Sequence, residues 1–168
     1  MSIEVEMTEC LVVSKETSER FIWTRGVGDC LAIAAQNDSE ILFAHLTGKQ
    51  YYPASMGGGT DEAMVARVKK FLDGCTQSNI LVATNFRHSK DPKLVMSPAI
   101  RLGYSLSQLR YGGTDEPGPV TLDVVNFQLY FSTPDAVNDQ SNVLNDKYGW
   151  TTAKAKKGAK SRCGCVLM

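Results

Sequence analysis

The chain carries no net formal charge, with 18 Lys plus Arg balanced by 18 Asp plus Glu. Phosphate binding draws on a basic excess, so nucleic acid is excluded as the main partner. No run approaches the ~20 apolar residues that cross a bilayer. The opening MSIEVEMTEC has neither the basic start nor the apolar core of a secretory signal. There are only 2 histidines, and His88 has no neighbouring ligands. Cys163-Gly164-Cys165 is too tight and isolated for a metal site, so neither metal nor cofactor is expected. The 5 cysteines lack the spacing of a disulfide framework, which points to free thiols in a reducing compartment. No internal repeat is visible, which excludes a solenoid.

What remains is an ordinary globular composition, 43% hydrophobic and 21% charged, over 168 residues. That length accommodates one domain with its own core and a tail. Residues 1–150 are expected to form the domain and 151–168 a disordered polybasic tail ending in a lipidation box.

Hydrophobic periodicity predicts the elements. Ile3 to Met7 alternates apolar and charged residues as a half-buried strand does, and Cys10 to Val13 is a second strand. Phe21-Ile22-Trp23, Leu31 to Ala35 and Ile41 to Leu46 are three more, the last two joined by the polar turn Gln36-Asn37-Asp38-Ser39. Residues 48–59 read as a flexible loop. Thr60, Asp61 and Glu62 suit a helix N-terminus, followed by Met64, Val65, Val68, Phe71 and Leu72 on one face and a stop at Gly74. Residues 79–84 read as a strand. Ser97-Pro98 opens a second helix that runs to Leu109, and residues 111–119 are a break rich in Gly and Pro. Residues 120–131 form a strand or a bent pair, and 134–145 a polar loop. Strands with two helices make a layered α+β domain.

The stretch from Phe21 to Leu46 holds the chemistry. A strand leads to Thr24, and Arg25-Gly26-Val27-Gly28-Asp29 forms a tight turn. Cys30 then opens a strand whose hairpin partner carries His45. A thiol attacks as the thiolate, and an imidazole beside it can take the proton and return it to a leaving group. Gly26 and Gly28 permit backbone conformations closed to other residues, so the amides of Gly28, Asp29 and Cys30 can converge on an oxyanion. Against this stands a plain reading: Cys30 is core, as cysteines commonly are, and Thr24 an ordinary strand threonine. Cys75 and His88 are also closely spaced. Tyr51 and Tyr52, on the loop after the histidine, are either substrate contacts or tyrosines packed on the core.

The ordered block Thr24, Gly26-Val27-Gly28-Asp29-Cys30 and Ala44-His45 resembles the chemoreceptor glutamine deamidases of the CheD family. Asp29 stands where that family commonly has Ser, and Leu46-Thr47-Gly48 where it has Met-Leu-Pro. The Cys-to-His interval is also similar to that of the cytotoxic necrotizing factor toxins, which deamidate a glutamine of Rho-type GTPases. The resemblance implies a β-sandwich-like core flanked by helices, with a Cys30-His45-Thr24 triad that hydrolyses protein glutamine side chains.

The end of the chain carries a different signal. Lys154, Lys156, Lys157, Lys160 and Arg162 crowd ahead of Cys165-Val166-Leu167-Met168, a terminus that looks like those of Ras-type GTPases. A final Met favours farnesyl, placed on Cys165 by a farnesyltransferase, and Cys163 is a position for palmitoyl. One lipid gives marginal binding, and basic residues on an anionic membrane surface supply the second signal.

Together these imply a cysteine-dependent protein glutamine deamidase on the cytoplasmic face of eukaryotic membranes. The expected partner is a protein with a target glutamine, a Rho or Ras family GTPase by analogy. A bacterial effector secreted into a host cell fits the same picture. An amine that intercepts the thioester makes the same site a transglutaminase. Two further readings stay open: a catalytically silent, membrane-tethered binding module, and a Cys-His protease.

Overall fold

The computed structural model describes residues 1–28, 30–51, 62–76, 79–84, 109–111 and 117–137. Nine strands are described: β1 Ser2–Glu4, β2 Cys10–Ser14, β3 Phe21–Val27, β4 Leu31–Gln36, β5 Glu40–Leu46, β6 Ile80–Thr84, β7 Leu109–Tyr111, β8 Gly118–Asp123 and β9 Gln128–Tyr130. Two helices join them, α1 Gly48–Tyr51 and α2 Glu62–Asp73. The strands form a four-stranded sheet in the order β1-β3-β8-β9 and a five-stranded sheet in the order β2-β5-β4-β6-β7.

The patterning explains the layers. In β4 and β5 nearly every residue is buried, so both faces of the five-stranded sheet must be covered. Leu31, Ile33 and Ala35 of β4, with Leu42, Ala44 and Leu46 of β5, pack on Met64, Val65, Val68 and Leu72 of α2. The alternate residues, Ala32, Ala34, Ile41 and Phe43, pack on Ile22, Val120, Leu122 and Leu129 of the other sheet. Burial on both faces turns strict alternation into continuous apolar runs. The result is a mixed α+β fold with three layers, α2 on one sheet and that sheet on the other.

Local chemistry sets the connections. Asn37 Oδ1 accepts from Ser39 N at 3.0 Å and Glu40 N at 2.8 Å, which closes the β4–β5 turn. At the far end of α2, Gly74 N donates to Phe71 O at 3.1 Å. Residues 120–131 resolve into a hairpin, β8 and β9, whose turn is held by Asp123 Oδ1 accepting from Val125 N at 3.0 Å.

Several expectations are corrected. Leu109 ends no helix: it opens β7, which pairs parallel with β6. Residues 97–108 lie outside the described residues. The break expected over 111–119 includes strand at both ends, Tyr111 in β7 and Gly118 and Pro119 in β8. Pro119 is tolerated because the β3 partner shifts register between Thr24 and Val27, so no ladder donor is required opposite it. The loop expected from residue 48 begins as helix α1. Its signal was in the spacing of Thr47 and Gln50: Thr47 N donates to Gln50 Oε1 at 2.8 Å, one half of a capping box.

Candidate active site

The Thr24, Cys30 and His45 side chains arrive from β3, the turn after it, and β5. Thr24 is fully buried on the inner face of the four-stranded sheet, in phase with Ile22. Beyond it β3 bulges, with Gly26 at φ +66° absorbing the reversal. Gly28 follows in close approach to Pro117: a Cβ there would stand 3.1 Å from Pro117 Cγ. These two glycines therefore have separate reasons, one conformational and one steric.

The β4–β5 ladder pairs Leu31 with Leu46 and Ala32 with His45. Side chains alternate across a strand, so His45 shares its face with Phe43 and Ile41 and points at the four-stranded sheet. Cys30 lies one residue outside β4. The ladder begins at the next residue, with Leu31 opposite Leu46. Cys30 is buried, with 8% of its surface exposed.

The hydrogen bond between Thr24 Oγ1 and His45 Nδ1, at 2.6 Å, crosses the sandwich from one sheet to the other. Both residues are fully buried. Burial disfavours the imidazolium, and the His45 pKa is lowered to about 4. His45 is thus neutral at pH 7. Its other nitrogen, Nε2, is buried and has no hydrogen-bond partner among the described residues. An orphaned buried polar atom costs about 1–3 kcal/mol, so its retention calls for an explanation.

The backbone of His45 is held in an unexpected way. Thr8 N donates to His45 O at 2.9 Å, and His45 N donates to Glu9 O at 3.0 Å. Two residues thus oppose one, a β-bulge at the start of β2 directly across from His45. Thr8 takes φ +73°, a left-handed conformation that glycine usually supplies at the first position of such a bulge. Sequence reasoning missed Thr8 and Glu9, because nothing about a threonine signals positive φ.

The remaining candidates are placed as follows. Asp29, Tyr52, His88, Cys163 and Cys165 lie outside the described residues. Tyr51 is the last residue of α1. Cys75 is half-buried at the end of α2, where its Sγ donates to Phe71 O at 3.4 Å and burial pushes the thiol pKa up. That environment suits a structural cysteine rather than a nucleophile. Among the described residues no three His, Cys, Asp or Glu side chains group as metal ligands, and no helix is long and apolar enough to cross a membrane.

A comparison with protein-family models finds none that matches this chain, and a comparison with curated proteins finds no match either.

Proposed function

We propose that the protein is a cysteine-dependent glutamine deamidase with Cys30 as nucleophile, His45 as base and acid, and Thr24 as the residue that orients His45. The single observation that carries the reading is the buried Thr24–His45 hydrogen bond, with Nε2 left without a partner among the described residues. With Nδ1–H donating to Thr24 Oγ1, the lone pair of the neutral imidazole sits on Nε2, where a base is wanted. Support for the pairing comes from the ladder that sets Ala32, two residues after Cys30, opposite His45.

In this reading the Cys30 thiol gives its proton to Nε2 as sulfur bonds to the glutamine carboxamide carbon. An imidazole whose pKa is about 4 holds no standing ion pair with a thiol, so proton transfer accompanies attack. The resulting imidazolium is a strong acid and hands the proton to nitrogen as the C–N bond breaks and ammonia leaves. Water, deprotonated by the same nitrogen, then attacks the thioester; glutamate forms and the thiol is restored. Backbone amides of the Gly28–Cys30 turn are the proposed oxyanion donors. The basic run Lys154, Lys156, Lys157, Lys160 and Arg162 would favour an anionic membrane surface, beside lipidated substrates such as small GTPases.

The test is peptide mass spectrometry of membrane proteins from eukaryotic cells that express the full chain or Cys30→Ala. A glutamine-to-glutamate change that requires Cys30 establishes the activity; its absence overturns it. The same spectra read farnesyl on Cys165. One observation favours a second reading, a silent membrane-tethered module: Cys30 and His45 are both buried. A small alkylating probe separates the two: base assistance by His45 makes the Cys30 rate fall in His45→Gln, whereas a plain core thiol reacts equally slowly in both proteins.

A further inference from the structure

Among the described strands, β2 is a sheet edge with little to protect it. The five-stranded sheet ends at β2 and β7, and the four-stranded sheet at β1 and β9. β1, β7 and β9 are 3 residues long, whereas β2 has 5. Short strands, charges and prolines keep sheet edges from pairing with other chains. The β2 sequence CLVVS has neither charge nor proline. The bulge at Thr8 and Glu9 lies before it and leaves its residues in regular register. Val12, 38% exposed, is the only exposed large hydrophobic residue in a described strand.

The phase of the β2–β5 ladder fixes which backbone groups are open. His45 N donates to Glu9 O at one end, and Lys15 N donates to Ser39 O at the other. Bonding alternates along an antiparallel pair, so Glu9, Leu11, Val13 and Lys15 bond inward to β5. The N–H and C=O groups of Cys10, Val12 and Ser14 point the other way. Ser14 O accepts from Thr17 N at 3.0 Å, and no described strand pairs with Cys10 or Val12 on that side.

We infer that β2 pairs with the β2 of a second copy of this chain, antiparallel about a two-fold axis at Val12. A strand laid antiparallel on itself meets the requirement of an isologous dimer, because every contact occurs twice. The outward phase and the length of β2 allow registers centred on Leu11, Val12 or Val13. Charge selects Val12. That register sets Glu9 opposite the second copy's Lys15 on both sides of the axis, with Leu11 opposite Val13 between them. Centring on Leu11 sets Glu9 opposite Val13, and centring on Val13 sets Lys15 opposite Leu11, which leaves a charge facing an apolar side chain. Glu9 and Lys15 are exposed, and neither joins an ion pair among the described residues. Opposite charges across strands favour pairing and like charges oppose it. The two five-stranded sheets then continue as one across the axis, independently of the deamidase reading.

The experiment is sedimentation equilibrium of the full chain between about 1 and 200 μM. The expected species has twice the 18.4 kDa mass of the chain. Lys15→Glu sets Glu against the second copy's Glu9, and Glu9→Lys sets Lys against its Lys15. Each variant alone should therefore dimerise about tenfold more weakly. An equimolar mixture of the two restores both opposite-charge pairs in a heterodimer and should recover the wild-type affinity. Val12→Lys places a charge on the axis and should leave a monomer. All three positions are exposed, so far-UV circular dichroism should not change. A wild-type monomer over the whole range overturns the inference. So does a dimer that ignores Val12→Lys or the charge reversals, or a pair of reversed variants that fails to recover on mixing.

Discussion

Acidification should unfold this protein through one side chain more than any other described here. His45 titrates near pH 4 in the folded state and near 6.5 when unfolded. Between those values the unfolded chain binds a proton that the folded chain refuses, so stability falls as pH falls. The contribution is fully present above about pH 6.5, is lost progressively toward pH 4, and levels off below it. Each pH unit in that window removes at most about 1.4 kcal/mol, and by pH 4 the loss from this group is about 3 kcal/mol. The informative quantity is the difference from His45→Gln, which keeps a polar group near Thr24 but cannot charge. Urea unfolding at pH 7, 5.5 and 4 gives the two profiles. The wild type should lose about 1.4 kcal/mol more than the variant by pH 5.5, and about 3 kcal/mol more by pH 4. Parallel profiles would refute the argument, and would mean that His45 is solvated or gains a partner on protonation.

Three further outcomes follow from particular contacts. Thr24→Val removes the hydroxyl bonded to His45 Nδ1 in a fully buried place and should lower stability by about 1–3 kcal/mol in denaturant melts. Thr24→Ser should restore most of it, and any deamidase activity should track the hydroxyl. Thr8→Gly relieves a left-handed threonine whose side chain is exposed, and should raise stability by up to about 1 kcal/mol. A fall in stability would show that the Thr8 side chain makes a contact worth more than the strain. Gly118→Ala places a methyl 2.5 Å from Phe131 Cε1, so the ring must move; thermal melts should show a loss of about 1–2 kcal/mol.

Much of the fold was legible because hydrophobic period reports burial. The β4 and β5 runs, the turn between them and the apolar face of α2 were all written in residue order. The helix α1 was also signalled, by the Thr47-to-Gln50 spacing, against the glycines that follow it. The strands at Leu109–Tyr111 and Gly118–Pro119 were not legible. β7 is short and its pairing with β6 is non-local, and Gly and Pro read as breaks unless the partner strand is known to bulge.

By itself the sequence determined which residue types were available for chemistry, in what order, and on which side of each strand they fall. Thr24, Cys30 and His45 follow from it, as does the hairpin that joins the last two. Only the tertiary structure decided that Thr24 and His45 meet. They belong to different sheets, and a contact between sheets depends on how two surfaces pack, which no local period encodes. The same packing removed His45 from water and lowered its pKa, and it set the Thr8–Glu9 bulge against its backbone. Residue identity supplied the functional groups, and burial between two sheets decided their ionisation and orientation.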